Sequence, residues 1–238
     1  MIRDILREIW NSGIKEVSHA VILAIMRNID GPFGERLRYA YFKRKFRSIG
    51  KDVRIDAGVF IYGAQYISIG NNVHIDKGVI IVACGPDVYL SMRHLIENNL
   101  DDSRLRKGEL IIGDDVHISR YCGIHASGGV AIGDRCVLSD NCKLYSLTNL
   151  PWNPMDRTDI VSIVPYSESS PSKIGPIELQ TNVWLGLNCI VMPGVRVGKD
   201  SFVRTNSVIT ESCSENSYLR GDRAVRTGPR YQPRGDHA

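Results

Sequence analysis

The chain has 238 residues, 43% of them hydrophobic, with 30 basic against 26 acidic side chains. That length and apolar content support one sizeable core and a single domain with appendages, while a net charge of +4 is too small to argue for a nucleic-acid partner. The longest unbroken apolar run, Ala20 to Met26, falls far short of the ~20 residues that cross a bilayer, and Met1-Ile2-Arg3-Asp4 lacks the basic-then-apolar order of a secretory signal, so a cytoplasmic protein is expected.

Residues 2 to 29 place Ile2, Ile5, Leu6, Ile9, Trp10, Ile14, Val17, Val21 and Ile25 at spacings of three and four, which predicts helical stripes interrupted near Gly13. A second helix is expected from about Glu35 to Arg47, after a turn at Gly31-Pro32. Such stripes cover an open end of a repeat array, pack between subunits, or attach to a membrane surface. Arg36, Arg38, Lys43, Arg44, Lys45 and Arg47 crowd this segment and read as a basic surface, suited to a peripheral contact with the inner membrane or a lipid-linked substrate.

From there a six-residue period takes over. Aliphatic residues fall at Ile55, Ile61, Ile69, Ile75 and Ile81, then Ile112, Ile118, Ile124, Ile132, Leu138 and Leu144, then Leu179, Leu185, Val191, Val197, Val203 and Ile209. Most have a small or apolar residue two places earlier, among them Cys122, Cys136, Cys142 and Cys189, where small volume accounts for the cysteines better than disulfides or metal do. Inward alternation that restarts every six residues predicts short strands, three to a coil, in a solenoid. Gly70-Asn71-Asn72, Gly113-Asp114-Asp115, Gly133-Asp134-Arg135 and Gly198-Lys199-Asp200 follow inward residues and supply turns in which Gly, Asn or Asp meets positive φ.

With these repeats, and with Asn182-Val183-Trp184-Leu185-Gly186, Met192-Pro193-Gly194-Val195 and Asn206-Ser207-Val208-Ile209-Thr210, the chain resembles the hexapeptide-repeat acyltransferases. The resemblance implies an all-β solenoid, a left-handed parallel β-helix with N-terminal helices and two extruded loops. It divides the chain into a helical segment 1–50, a β-helix 51–211 with loops 84–106 and 146–175, and a basic tail 212–238. Counting three strands per coil places the irregular steps after Ile61, Ile81, Ile124 and Leu144 on one corner of the prism, where the two loops would frame a cleft.

Leu144-Tyr145-Ser146-Leu147-Thr148-Asn149 is similar to the segment of sugar and galactoside acetyltransferases that ends in a histidine, the general base that deprotonates the acceptor. Here Asn149 stands in that place, and an amide takes no proton at neutral pH. An amino-sugar acceptor needs less help; alternatively His125, expected ~5 Å from Tyr145 one coil away, supplies the base; or the protein is a noncatalytic scaffold or pseudoenzyme. Tyr145, Trp152 and Arg157 are the expected sugar contacts, an aromatic face suiting a pyranose and Arg a phosphate. Asp156 and Asp159 are further acidic candidates.

The resemblance further implies acetyl-CoA as co-substrate, with Trp184, Gly186, Asn206 and Ser207 lining or shaping its groove and Arg223 or Arg226 meeting a CoA phosphate. The family's Gly-Asn-Pro-Ala ending is replaced by Gly221-Asp222-Arg223-Ala224. A homotrimer is expected, acting on a sugar that is free, nucleotide-linked or lipid-linked, in surface polysaccharide biosynthesis; Gly34 to Gly50 and Tyr66 to Val73 resemble enzymes of that kind. His74 and His117 precede inward residues one coil apart. They offer a rival zinc site like that of the carbonic-anhydrase relatives, but without a third histidine no metal is expected and interface packing is preferred.

Overall fold

The computed structural model of the chain describes residues 14–85, 95–149, 172–221 and 225–229. Short strands stack in parallel on three faces of a prism, a left-handed parallel β-helix. The first face holds Ser48–Ile49, Ile67–Ile69, Leu110–Ile112, Val130–Ile132, Ile177–Leu179 and Val195–Val197. The second holds Arg54–Ile55, His74–Ile75, His117–Ile118, Val137–Leu138, Trp184–Leu185, Phe202–Val203 and Ser217–Arg220, with Val225–Pro229 added antiparallel. The third holds Phe60–Tyr62, Ile80–Val82, Gly123–His125, Lys143–Tyr145, Ile190–Val191 and Val208–Ile209.

Six full coils result, and each inward aliphatic stacks on its counterpart in the next: Ile81, Ile124 and Leu144 pair in register on the third face. From Ile55 to Leu219 nearly all of these side chains are 0–3% exposed, and full burial of one Ile or Leu stabilises by roughly 1.5–3 kcal/mol before entropy is counted. Strands lie beyond both ends of the expected 51–211 solenoid. Ser48–Ile49 starts the first coil, and a last partial turn runs through Cys213, bridged to Val197, to Ser217–Arg220.

The turns follow the expected use of Asn and Asp, with Arg135 the departure. Left-handed φ falls on the third residue of each first corner, at Asn72, Asp115, Arg135 and Asp200, and not on the glycine that precedes it. The glycines serve close approach: a Cβ on Gly70 would lie 2.3 Å from Asp114 Oδ1 and 2.7 Å from the Gly113 backbone of the next coil. The second corner repeats the left-handed position at Gly58, Gly78, Tyr121, Asn141, Asn188 and Asn206.

Among the described residues, two helices precede the first coil. The first, α1, spans Ile14–Asn28, and the second, α2, spans Gly31–Phe42 with Asp30 accepting from Gly31 N at 2.8 Å and Pro32 in its first turn. α2 therefore begins earlier than expected and stops short of Arg47. The chain must leave the helix there to join the ladder, with Arg47 N donating to Ile67 O at 2.9 Å. Met26 is buried, and Phe42 and Phe46 join the core with Val53, Ile55 and Val59 of the first coil. Arg38, expected on a basic surface, is instead 1% exposed. Its guanidinium donates to Ile55 O (2.6 Å), Met26 O (2.9 Å) and Ile29 O (2.6 Å), which ties both helices to the solenoid.

Candidate active site at the third corner

The corner between the third and first faces gathers the long insertions. Ile67–Ile69 pairs directly with Leu110–Ile112, and Ile80–Val82 with Gly123–His125, so the irregular steps after Ile61, Ile81, Ile124 and Leu144 share this edge. The bases of the two loops then join each other. Leu147–Asn149 pairs antiparallel with Ser172–Ile174, which pairs parallel with Leu95–Glu97, a small sheet standing on the corner.

His125 and Tyr145 lie side by side at this edge. Their register is direct, and the rings sit 4.7 Å apart at 32°, as counting coils predicts. The imidazole is partly buried, and this desolvation, aided by the nearby Lys143 charge, lowers its pKa from the ordinary value of about 6.5. The ring is therefore neutral at physiological pH and has a lone pair to offer. Lys143 is held by donating to Tyr121 O at 2.5 Å.

Asn149 projects from the small sheet and accepts from Ser172 Oγ at 3.0 Å. Its carboxamide is exposed and already committed on the oxygen side to a loop partner. Trp152, Asp156, Arg157 and Asp159 lie outside the described residues, as does Arg223. Arg226 falls in the antiparallel strand Val225–Pro229.

The residues assigned to a CoA groove are distributed unevenly. Trp184 is 45% exposed on the second face, donates from Nε1 to Ser139 Oγ at 3.0 Å, and meets Phe202 edge to face at 5.4 Å. Gly186 is required by crowding, since a Cβ there would come within 2.7 Å of Thr205 N. Asn206 holds a left-handed corner with φ of 62° and accepts from Asn188 Nδ2. Ser207 departs from the expectation of lining the groove: the whole residue is 0% exposed, inside the prism two places before inward Ile209, and its carbonyl accepts from Ile190 N within the ladder.

Several residues that build the corner escaped the sequence reading. Ser146 is fully buried, donates from Oγ to His125 O at 2.5 Å and accepts from Gly128 N at 2.8 Å, clamping the backbone that carries His125. Asn98 donates to Pro193 O at 2.8 Å and occupies the space a side chain at Gly194 would need. Arg196 reaches Asp102 (2.6 Å) and Glu178 (2.7 Å), pinning the first loop to the first face. The partners are up to 95 residues apart and follow no period. Only the loop position of Asn98 and Asp102 hinted at them.

Comparisons with known proteins agree with this architecture. The family model described as the hexapeptide repeat of succinyl-transferase matches residues 109–146 and 179–211. The galactoside O-acetyltransferase of Lactococcus lactis is 42% identical over 96 residues, 39% of this chain and 46% of that protein. WbbJ of Escherichia coli K12, named for lipopolysaccharide biosynthesis O-acetyl transfer, is 28% identical over 118 residues, 48% of this chain and 58% of its own. The chain spans about half the length of the curated relatives it matches, between 41% and 59% for the first of them. Among solved structures, a serine-to-cysteine mutant of AntD, an N-acyltransferase from Bacillus cereus, in complex with dTDP-4-amino-4,6-dideoxyglucose and coenzyme A, aligns with a TM-score of 0.62 at 22% identity, covering 82% of this chain and 89% of that one.

Proposed function

We propose that this protein transfers an acetyl group from acetyl-CoA to the amino group of a sugar, with His125 as the proton acceptor. The carrying observation is the pairing of a neutral, partly buried His125 at the loop-framed corner with an amide, Asn149, in the place where the related segment ends in histidine. A base whose pKa is lowered is poorly matched to a hydroxyl, but it suits the acidic N–H of the intermediate formed when an amine attacks a thioester. The amine's lone pair attacks the thioester carbonyl. His125 takes the proton from the attacking nitrogen and returns it to the departing sulfur, so the C–S bond breaks, CoA leaves as the thiol, and the N-acetyl sugar remains. Tyr145 supports the imidazole by ring contact, and Asn149 orients the acceptor by hydrogen bonding.

The named activities of the sugar O-acetyltransferase relatives support acetyl transfer, and the amino sugar bound in AntD is of the acceptor class proposed. A role in surface polysaccharide biosynthesis, action in the cytoplasm and assembly as a homotrimer belong to the same proposal. Trp184, Gly186 and Asn206 would shape the CoA groove on the second face's last coils. Purified protein titrated with acetyl-CoA by calorimetry, followed by thiol-release assays on amino sugars and their hydroxyl counterparts, tests the reading. Acetyl-CoA binding with release on amino sugars is expected, while no binding at millimolar acetyl-CoA would refute it. Light scattering of the full chain tests the trimer.

A further inference from the structure

The first coils of the second face carry a polar cluster apart from the His125 corner. His74 and His117 are in direct register on adjacent coils, their rings stacked 5.3 Å apart at 10°. The corner residues that follow the first two strands of this face are Asp56 and Asp76. His74 Nε2 lies 3.2 Å from both Asp56 Oδ1 and Asp76 Oδ1, and His117 Nε2 lies 3.2 Å from Asp76 Oδ2. One carboxylate thus bridges two imidazoles and a second approaches the first imidazole from the coil below.

The same geometry recurs two coils on, where Trp184 Nε1 donates to Ser139 Oγ at 3.0 Å. There an N–H meets a hydroxyl and the pairing is complete. At His74 it is not: a neutral imidazole offers at most one proton at Nε2, yet two carboxylates converge on that atom, and carboxylates this close to one nitrogen repel each other. A divalent cation satisfies the arrangement where a single proton does not. It accepts lone pairs from both Nε2 atoms, and its two charges match Asp56 and Asp76.

The donor atoms of His74, Asp76 and His117 already lie within 4.8 Å of one another, on a backbone whose strand spacing is fixed by the ladder. Zinc takes imidazole nitrogen and carboxylate oxygen at ~2.0–2.2 Å, so binding would draw these three side chains toward one centre. All three residues are partly exposed, so an ion has access and water can complete the coordination. Imidazole with carboxylate selects the zinc, nickel and copper end of the divalent series over magnesium or calcium.

We propose that His74, Asp76 and His117, with Asp56 beside them, form a divalent transition-metal site that cross-links the N-terminal coils of the solenoid. The site sits on a different face from His125 and its role is stabilising, so it stands whether or not acetyl transfer is confirmed. Cysteine does not compete for the ion from inside the core: Cys84, Cys122, Cys136, Cys142 and Cys189 are buried, and Cys213 is partly so.

The test uses untagged, chelator-stripped full-length protein titrated with zinc chloride, and separately nickel chloride, by calorimetry and thermal melting. One equivalent per chain with a Kd on the order of micromolar and a higher melting temperature is expected. His74→Ala and His117→Ala should each weaken binding at least tenfold, Asp76→Asn should do so without changing side-chain size, and Cys213→Ser should bind as the wild type does. Melting curves in EDTA verify that each variant folds, and Asp76→Asn keeps the test open if an alanine variant does not. No saturable binding at millimolar zinc, or affinity unchanged in the folded His74→Ala or Asp76→Asn protein, overturns the proposal.

Discussion

Replacing His125 by alanine isolates the chemistry proposed for the third corner. Base catalysis contributes ~10²–10⁴-fold, so the variant should lose at least about 10²-fold in kcat, equivalent to about 2.7 kcal/mol of barrier. The structural cost is smaller. His125 and Tyr145 pack at 4.7 Å, and losing an aromatic pair costs about 0.5–1.5 kcal/mol, which leaves a solenoid of stacked aliphatics folded. Burial first, and the Lys143 charge second, lower the imidazole pKa. The active base is the neutral form, so kcat/KM should carry an inflection below about 6.5 that His125→Ala abolishes, separate from the later rise as the acceptor amine itself loses its proton. Lys143→Met removes the neighbouring positive charge, favours the imidazolium, and should move that inflection upward. Initial rates by thiol release, with acetyl-CoA affinity measured alongside, separate loss of chemistry from loss of binding. An alanine variant within threefold of wild-type turnover, or one that keeps the wild-type inflection below about 6.5, would refute the assignment.

Asn149→His should create measurable acetyl transfer to hydroxyl sugars, because an imidazole then stands where the acceptor proton leaves; an unchanged amine-to-hydroxyl preference in the thiol-release assay counts against the corner as the acceptor site. Arg38→Ala leaves the carbonyls of Met26, Ile29 and Ile55 without their donor and should cost more than about 3 kcal/mol in urea unfolding, a loss under about 1 kcal/mol showing that the helices dock by apolar contact alone. Native protein at pH 8 should react with a thiol reagent at Cys213 first, since burial shields the other five cysteines and pushes the Cys136 thiol up to about 11; rapid labelling of several thiols would be inconsistent with this core. Tyr121 holds φ of 60° at a corner where other coils place Gly or Asn, so Tyr121→Asn should raise the thermal midpoint, by about 0.5–1 kcal/mol of stability, and a lowered midpoint would assign the ring's contact with Gly78 the larger energy.

The solenoid was legible because its signal is repeated and local. An inward aliphatic every six residues needs no knowledge of distant partners, and parallel pairing of equivalent positions follows from counting, which is how His125 could be set beside Tyr145 and His74 beside His117. The period fails where another element supplies the core. Ile49 was missed because the position two places earlier is Arg47, the apolar volume there coming from Phe42 and Phe46. The final turn was missed because the step from Ile209 to Cys213 is shortened to four residues and a cysteine takes the aliphatic slot beside Val197. Arg38 was misread because charge patterning sees a basic cluster, while a guanidinium with three carbonyl acceptors is stable inside.

The site was half legible for the same reason. Its position follows from the strand count, whereas its construction depends on contacts between insertions, such as Asn98 with Pro193 and Asp102 with Arg196, that no periodicity encodes. Ser146 shows how the two levels meet. In the sequence it is one polar letter in a segment resembling a catalytic loop. In the structure its buried hydroxyl bonds to the His125 carbonyl and the Gly128 amide, so it fixes the backbone of the coil before it. A substrate-binding corner on a rigid prism requires such a clamp, because insertions interrupt the ladder at that edge and leave backbone groups to be satisfied by side chains. The chemistry assigned to His125 therefore depends on a residue that touches no substrate, and the rigidity that makes the fold readable is what holds the imidazole against Tyr145.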